Sequence, residues 1–114
     1  MALTMKRMTR AAFDAKLRQL QQCLGKYQPQ KVILFGSFAR GDYHAASDVD
    51  LLIIKETDLP FLERSAEVWR YCPDDLSLEP LVYTPTEFQA MVARENPLIM
   101  QVLREGITIY ESES

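Results

Sequence analysis

Gly36, Ser37, Asp48 and Asp50 stand in a segment that reads GSFARGDYHAASDVDLLI. Their types and spacing suit one kind of chemistry, the handling of a phosphate through a bound cation. Glycine lets backbone approach a ligand with no side chain in the way. A serine opening a turn can cap it, and its hydroxyl can also reach a phosphate. Free N–H groups at such a turn bind anions. Asp48 and Asp50 are two apart at the start of an apolar run, so the period of two places both carboxylates on one face while Val49, Leu51 and Ile53 turn into the core. Adjacent carboxylates repel, and a cation relieves that repulsion. Mg²⁺ suits them because it needs only one or two protein carboxylates and fills its shell with water and phosphate oxygens.

Turns favour Gly, Ser and Asp for conformational reasons alone. That explanation fails for two acids entering a strand that otherwise reads as core. With each residue at roughly 5–7% usage, the four-point pattern arises by chance in about one chain in a thousand of this length. A Walker A loop is excluded. Gly36 and Gly41 have its glycine spacing, but Asp42 and Tyr43 follow where Lys and Ser or Thr are required.

The elements that must position these residues follow from periodicity and punctuation. A helix is expected from Thr9 to Lys26, with Phe13, Leu17, Leu20 and Leu24 on one face and Gly25 and Pro29 ending it. Lys31–Phe35 reads as a buried strand and Val49–Ile54 as a second. A helix from Pro60 to Tyr71 is expected to turn Leu62, Ala66 and Trp69 inward, and Leu76–Tyr83 to form a third strand. Thr84-Pro85-Thr86-Glu87 has the form of a capping box for a helix ending near Asn96-Pro97. A last helix, Pro97–Glu105, stops at Gly106, and Ile107–Tyr110 makes a final strand. The fold class is α/β, a small mixed β-sheet flanked by helices. The link between the first two strands is too short for a parallel crossover, so that pair is antiparallel. Residues 1–8 read as a flexible N-terminus, 9–110 as a single domain and 111–114 as a tail.

The 114 residues carry a net charge of −3, unevenly placed: residues 1–31 hold seven Lys/Arg against one Asp, the rest six against fifteen Asp/Glu. An acidic body argues against direct nucleic-acid binding, which needs a basic surface, and suits a metal site. The basic N-terminal stretch reads as a solvated helix face. No apolar run reaches the ~18 residues of a membrane span, and no signal peptide is evident. Cys23 and Cys72 lack metal-type spacing and read as buried small hydrophobes in a reducing cytoplasm, with a disulfide left open.

At these residues the chain resembles the minimal nucleotidyltransferases of the polymerase-β-like superfamily, whose signature is G-S, ten residues, then D-x-D. Phe38 to Ser47 supply the ten, and Ala39, Arg40, Gly41, Ser47 and Leu51 match the fuller form GSxARGxxxxxSDxDL. The resemblance extends over about residues 10–110 through the Glu79–Phe88 segment, Asn96-Pro97 and Gly106-Ile107. It implies a polymerase-β-like nucleotidyltransferase fold and transfer of AMP from ATP to a hydroxyl. Two Mg²⁺ ions would be held by Asp48, Asp50 and a third carboxylate four residues before Tyr83. That position is Glu79, where most relatives have aspartate; Asp74 and Asp75 are fallbacks. Gly36 and Ser37 would meet the β- and γ-phosphates, with Arg40 neutralising phosphate charge or forming a surface salt bridge. Ser47 would orient the carboxylate loop, and His44 is incidental.

The resemblance further implies a partner. Free-standing members of this size pair with a small helical HEPN protein, an RNase toxin that the antitoxin adenylylates on tyrosine. Two other readings stay open: an adenylyltransferase for a small molecule such as an aminoglycoside, and a non-catalytic module that neutralises its partner by contact. Base preference and homo-oligomerisation are not legible in the sequence.

Overall fold

The computed structural model describes residues 9–42 and 48–112. His44, Ser47 and the N-terminal segment 1–8 therefore lie outside the described residues. Helix α1 (Arg10–Tyr27) is followed by strands β1 (Lys31–Phe35) and β2 (Val49–Ile54), helix α2 (Phe61–Tyr71), a 3₁₀ turn (Asp74–Leu76) and strand β3 (Leu78–Tyr83). Helices α3 (Pro85–Ala93) and α4 (Pro97–Glu105) then lead to strand β4 (Ile107–Glu111). The sheet order is β3-β2-β1-β4. β1 pairs antiparallel with both β2 and β4, whereas β2 and β3, joined through α2, run parallel. This is the expected mixed sheet.

Both faces of the sheet are covered, which is why β1 and β2 read as continuous apolar runs rather than alternating ones. Val32, Leu34, Val49, Leu51, Ile53 and Val82 pack beneath α1 and α2. Ile33, Phe35, Leu52 and Ile54 pack against Met91 of α3 and Ile99 and Val102 of α4. Three helix starts are capped by side chains, the one at Thr84 as its sequence implied. Thr9 caps α1 by accepting from Ala12 N–H; Thr84 and Glu87 form a complete capping box; Asn96 accepts from Leu98 and Ile99 N–H. Among the described residues no helix is long and apolar enough to cross a membrane.

Three expectations need correction. Gly25 lies inside α1, which ends instead at Gln28, a left-handed residue (φ 61°) whose N–H bonds to Gly25 C=O. β3 begins at Leu78, because Asp74–Leu76 form the 3₁₀ turn and Ser77 (φ 50°) reverses the chain. The largest correction concerns α2. Leu62 is 89% exposed and Trp69 49% exposed, Ala66 is exposed, and the buried positions are Arg64 and Val68.

The reason is the sheet edge. β3 is an edge strand, and its outward carbonyls are open to any extended chain that approaches. The α2 helix closes them: Trp69 Nε1–H donates to Leu78 C=O (3.1 Å), Ser65 Oγ–H to Pro80 C=O (3.1 Å) and Arg64 Nη1–H to Val82 C=O (3.1 Å). Trp69 thus serves the sheet edge rather than the core. Pro80, with no N–H, sits where an edge strand tolerates it. Arg64 is only 6% exposed. It also donates to Leu59 C=O and makes a two-armed pair with Glu87, at 2.6 Å and 3.3 Å. One guanidinium thereby joins α2, the end of β3 and the start of α3.

The cysteines are buried, as their types suggested, but they are bonded to each other. Cys23 and Cys72 form a disulfide that ties α1 to the end of α2 across 49 residues of chain.

Candidate active site

β1 delivers the chain to Gly36, and the reversal there depends on glycine: φ is +74°, a region that L side chains enter only with strain. Space is as tight as the backbone. A Cβ on Gly36 would overlap Asp50 Oδ2 and lie 3.2 Å from Asp50 Cγ. The β1–β2 register explains the closeness, since Phe35 pairs with Asp50 and Gly36 is the next residue. The missing side chain of Gly36 is thus the room in which the Asp50 carboxylate sits. The two halves of the motif touch across the strand ends.

The 36–41 segment is a compact turn. Arg40 N–H bonds to Gly36 C=O (3.2 Å), Gly41 N–H to Phe38 C=O (3.3 Å) and Asp42 N–H to Ser37 C=O (2.9 Å). Phe38 anchors it from below, 3% exposed and stacked on Phe13 of α1 with ring centroids 6.0 Å apart. The sequence reading missed Phe38; a lone aromatic inside a glycine-bounded polar turn was the available signal. The Ser37 hydroxyl makes no hydrogen bond among the described residues, so it does not act as the cap expected of it and stays available to a ligand.

Asp48 lies exposed just ahead of β2, and Asp50 is half buried within it. Burial, and then the charge of Asp48, push the Asp50 carboxyl above the ordinary carboxylate value, while Arg40 pulls it partly back. Neighbouring acids, one of them costly to ionise and set into a cradle that a Cβ would fill, fit a divalent cation. Glu79 pairs in register with Asp50 across the parallel β2–β3 ladder, at the same end of the sheet, but it is exposed. Among the described residues no three His, Cys, Asp or Glu side chains converge into a closed metal cluster. The structure therefore brings Gly36 and Asp50 into contact and sets Glu79 beside Asp50 without closing the triad. Asp74 and Asp75 belong to the 3₁₀ turn preceding β3. Arg40 sits in the turn, with Nη1 2.9 Å from Glu105 Oε1 of α4.

A cavity of about 540 Å³ lies at the opposite end of the sheet, lined by residues including Lys31, Ile54, Phe88 and Glu111. Its lining carries no constellation like the carboxylate pair, so the chemistry of the donors outweighs the size of the hollow.

Two proteins of Methanocaldococcus jannaschii, provisionally named protein adenylyltransferases, align with the chain. One is 38% identical over 61 residues, covering 49% of this chain and 61% of the relative. The other is 52% identical over 33 residues, covering 29% and 33%. The alignments thus span less than two thirds of either relative's length. A provisionally named nucleotidyltransferase from Sulfolobus solfataricus superposes with a TM-score of 0.59 at 20% identity, over 94% of this chain and 93% of that one. A toxin-antitoxin structure with AMP-PNP does so at 0.61 and 19%, over 85% and 74%. At such identities these likenesses show the fold. The family described as Polymerase beta, Nucleotidyltransferase matches residues 18–114, which include the glycine turn, the carboxylate pair and all four strands, and the chain belongs to that family.

Proposed function

We propose that this chain transfers AMP from ATP to a protein hydroxyl, specifically a tyrosine of a small helical HEPN-type RNase toxin encoded beside it, and so acts as an antitoxin. The observation that carries the reading is the contact between the two halves of the motif: Asp50 occupies the space left by Gly36, at the end of the turn that presents Ser37. The names of the two relatives support a protein acceptor, and the toxin-antitoxin neighbour with AMP-PNP supports both the partner and the adenine nucleotide.

In this reading Asp48 and Asp50 hold Mg²⁺, with Glu79 as the third carboxylate and two ions in the complete site. Bound there, the metal supplies charge neutralisation for the entering and leaving oxygens of an in-line displacement at the α-phosphorus. Gly36 and Ser37 receive the β- and γ-phosphates, Gly36 by leaving backbone approachable and Ser37 through its hydroxyl, which has no hydrogen-bond partner among the described residues. Arg40 adds positive charge at the phosphates. Glu79 accepts the proton of the attacking hydroxyl. The bond formed is tyrosine oxygen to α-phosphorus; the bond broken is that to the pyrophosphate leaving group. A reaction that consumes ATP places the chain in the cytoplasm, where the Cys23–Cys72 bond is contested by cellular thiols.

The test is to incubate the chain with Mg²⁺, ATP labelled at the α-phosphate and the product of the neighbouring reading frame. Covalent label on that product, lost in Asp48→Ala/Asp50→Ala, is the expected result. A partner that stays unlabelled yet bound and inhibited would make the chain a module acting by contact.

A further inference from the structure

We infer that Glu105 is a positioning residue for nucleotide binding: it holds the Arg40 guanidinium beside the Gly36–Asp50 site, so that the triphosphate meets a cation already in place. This rests on the nucleotidyltransferase reading above and adds to it a residue 65 positions away in sequence from the turn it serves. Arg40 belongs to the phosphate turn itself, its N–H bonded to Gly36 C=O. Its Nη1 donates to Glu105 Oε1 at 2.9 Å. Gln101, one helical turn earlier on α4, donates to the same oxygen at 2.9 Å and holds it.

The platform under Glu105 is closely packed. Ile99 and Val102 of α4 are buried against the sheet, and Gly106, directly after Glu105, lets the helix end press on β1. A Cβ at Gly106 would overlap Val102 C=O and come within 2.5 Å of Ile33 Cγ2. Glu105 also lies at the site's end of the sheet: Ile107, two residues on, pairs with Leu34, two residues before Gly36, and α4 packs on the face that holds Phe35, Leu52 and Ile54, the face to which strand alternation assigns Asp50. A guanidinium has five N–H donors. The bond to Glu105 leaves the others for phosphate oxygens, so the pair and the nucleotide can be engaged together. A long side chain that is ordered before binding does not have to be ordered by the ligand, and loss of that ordering weakens affinity by about threefold to tenfold. An ordinary exposed ion pair, in contrast, would be indifferent to nucleotide.

The test is calorimetric titration of the full chain with Mg²⁺ and AMP-PNP, using wild type, Glu105→Gln, Arg40→Ala and the double variant, each checked by a thermal melt. Glu105→Gln is expected to raise Kd by about threefold to tenfold. The double variant is expected to bind no more weakly than Arg40→Ala alone, since Glu105 acts only through Arg40. Wild-type Kd in Glu105→Gln overturns the inference. So does an effect that adds fully to that of Arg40→Ala, as general damage to α4 would produce. Absence of AMP-PNP binding by wild type removes the nucleotide reading, and this inference with it; binding by wild type that Glu105→Gln leaves unchanged removes this inference alone.

Discussion

Replacing Gly36 by alanine is the sharpest perturbation of the site's architecture. Two costs are separable. The backbone at φ +74° charges any L residue about 1–2 kcal/mol for the left-handed conformation. The new methyl also overlaps Asp50 Oδ2, so the carboxylate must leave its rotamer, at roughly 0.5–1.5 kcal/mol. Together these lower stability by about 1.5–3.5 kcal/mol, a large share of the ~5–15 kcal/mol typical of a domain. Urea denaturation of Gly36→Ala, Asp50→Ala and the double variant separates them. With Asp50 truncated, the overlap disappears and only the backbone cost remains, so the cost of Gly36→Ala should fall by about 1 kcal/mol in that background. Equal costs in both backgrounds, or a total below about 0.5 kcal/mol, would refute the claim that Gly36 makes room for Asp50.

Three further outcomes are expected. Arg64→Ala leaves the Val82 and Leu59 carbonyls without this donor and Glu87 without its ion-pair partner; because the Glu87 side chain is 43% exposed, the loss should be about 3 kcal/mol, at the low end for a broken buried pair, as read by chemical denaturation. The Arg64 hydrogen bond, followed by the Thr84 N–H, holds the Glu87 carboxyl below its ordinary value of 4.5. Its contribution is therefore complete above that pH and lost as pH falls below it, so Glu87→Gln should flatten the acid limb of a stability–pH profile and leave its alkaline limb unchanged. Reducing Cys23–Cys72, which closes 49 residues of chain, should lower stability by up to about 4 kcal/mol, and a Cys72→Ala variant should melt identically with and without dithiothreitol.

Much of the fold was legible because its signals are local. β1 and β2 are bounded by the residues their apolar runs suggested, α4 lies between Pro97 and Gly106, and Thr84–Glu87 cap α3 as their spacing implied. The short β1–β2 link gave the antiparallel pair. What failed was the choice of face for α2. Leu62, Ala66 and Trp69 have helical spacing and apolar character, but the inward stripe is Arg64, Val68 and the nearby Cys72. A hydrophobicity count cannot rank an arginine as interior. Only the tertiary demand of an edge strand with open carbonyls and a nearby Glu87 does so. The disulfide failed to appear for a similar reason, since nothing in the spacing of Cys23 and Cys72 announces that α1 and α2 lie side by side. At the site, the motif pointed to Gly36 and Asp50 as a pair, and strand register supplied the reason. The Arg40–Glu105 contact joins residues that no local pattern links.

Density for Mg²⁺ and AMP-PNP bound to the chain tests the central claim most directly. The expected structure has the metal on Asp48 and Asp50 and the β- and γ-phosphates against Gly36 and Ser37. Nucleotide seated elsewhere, for instance in the hollow beside Lys31 and Phe88, with the two aspartates free of metal, would contradict it.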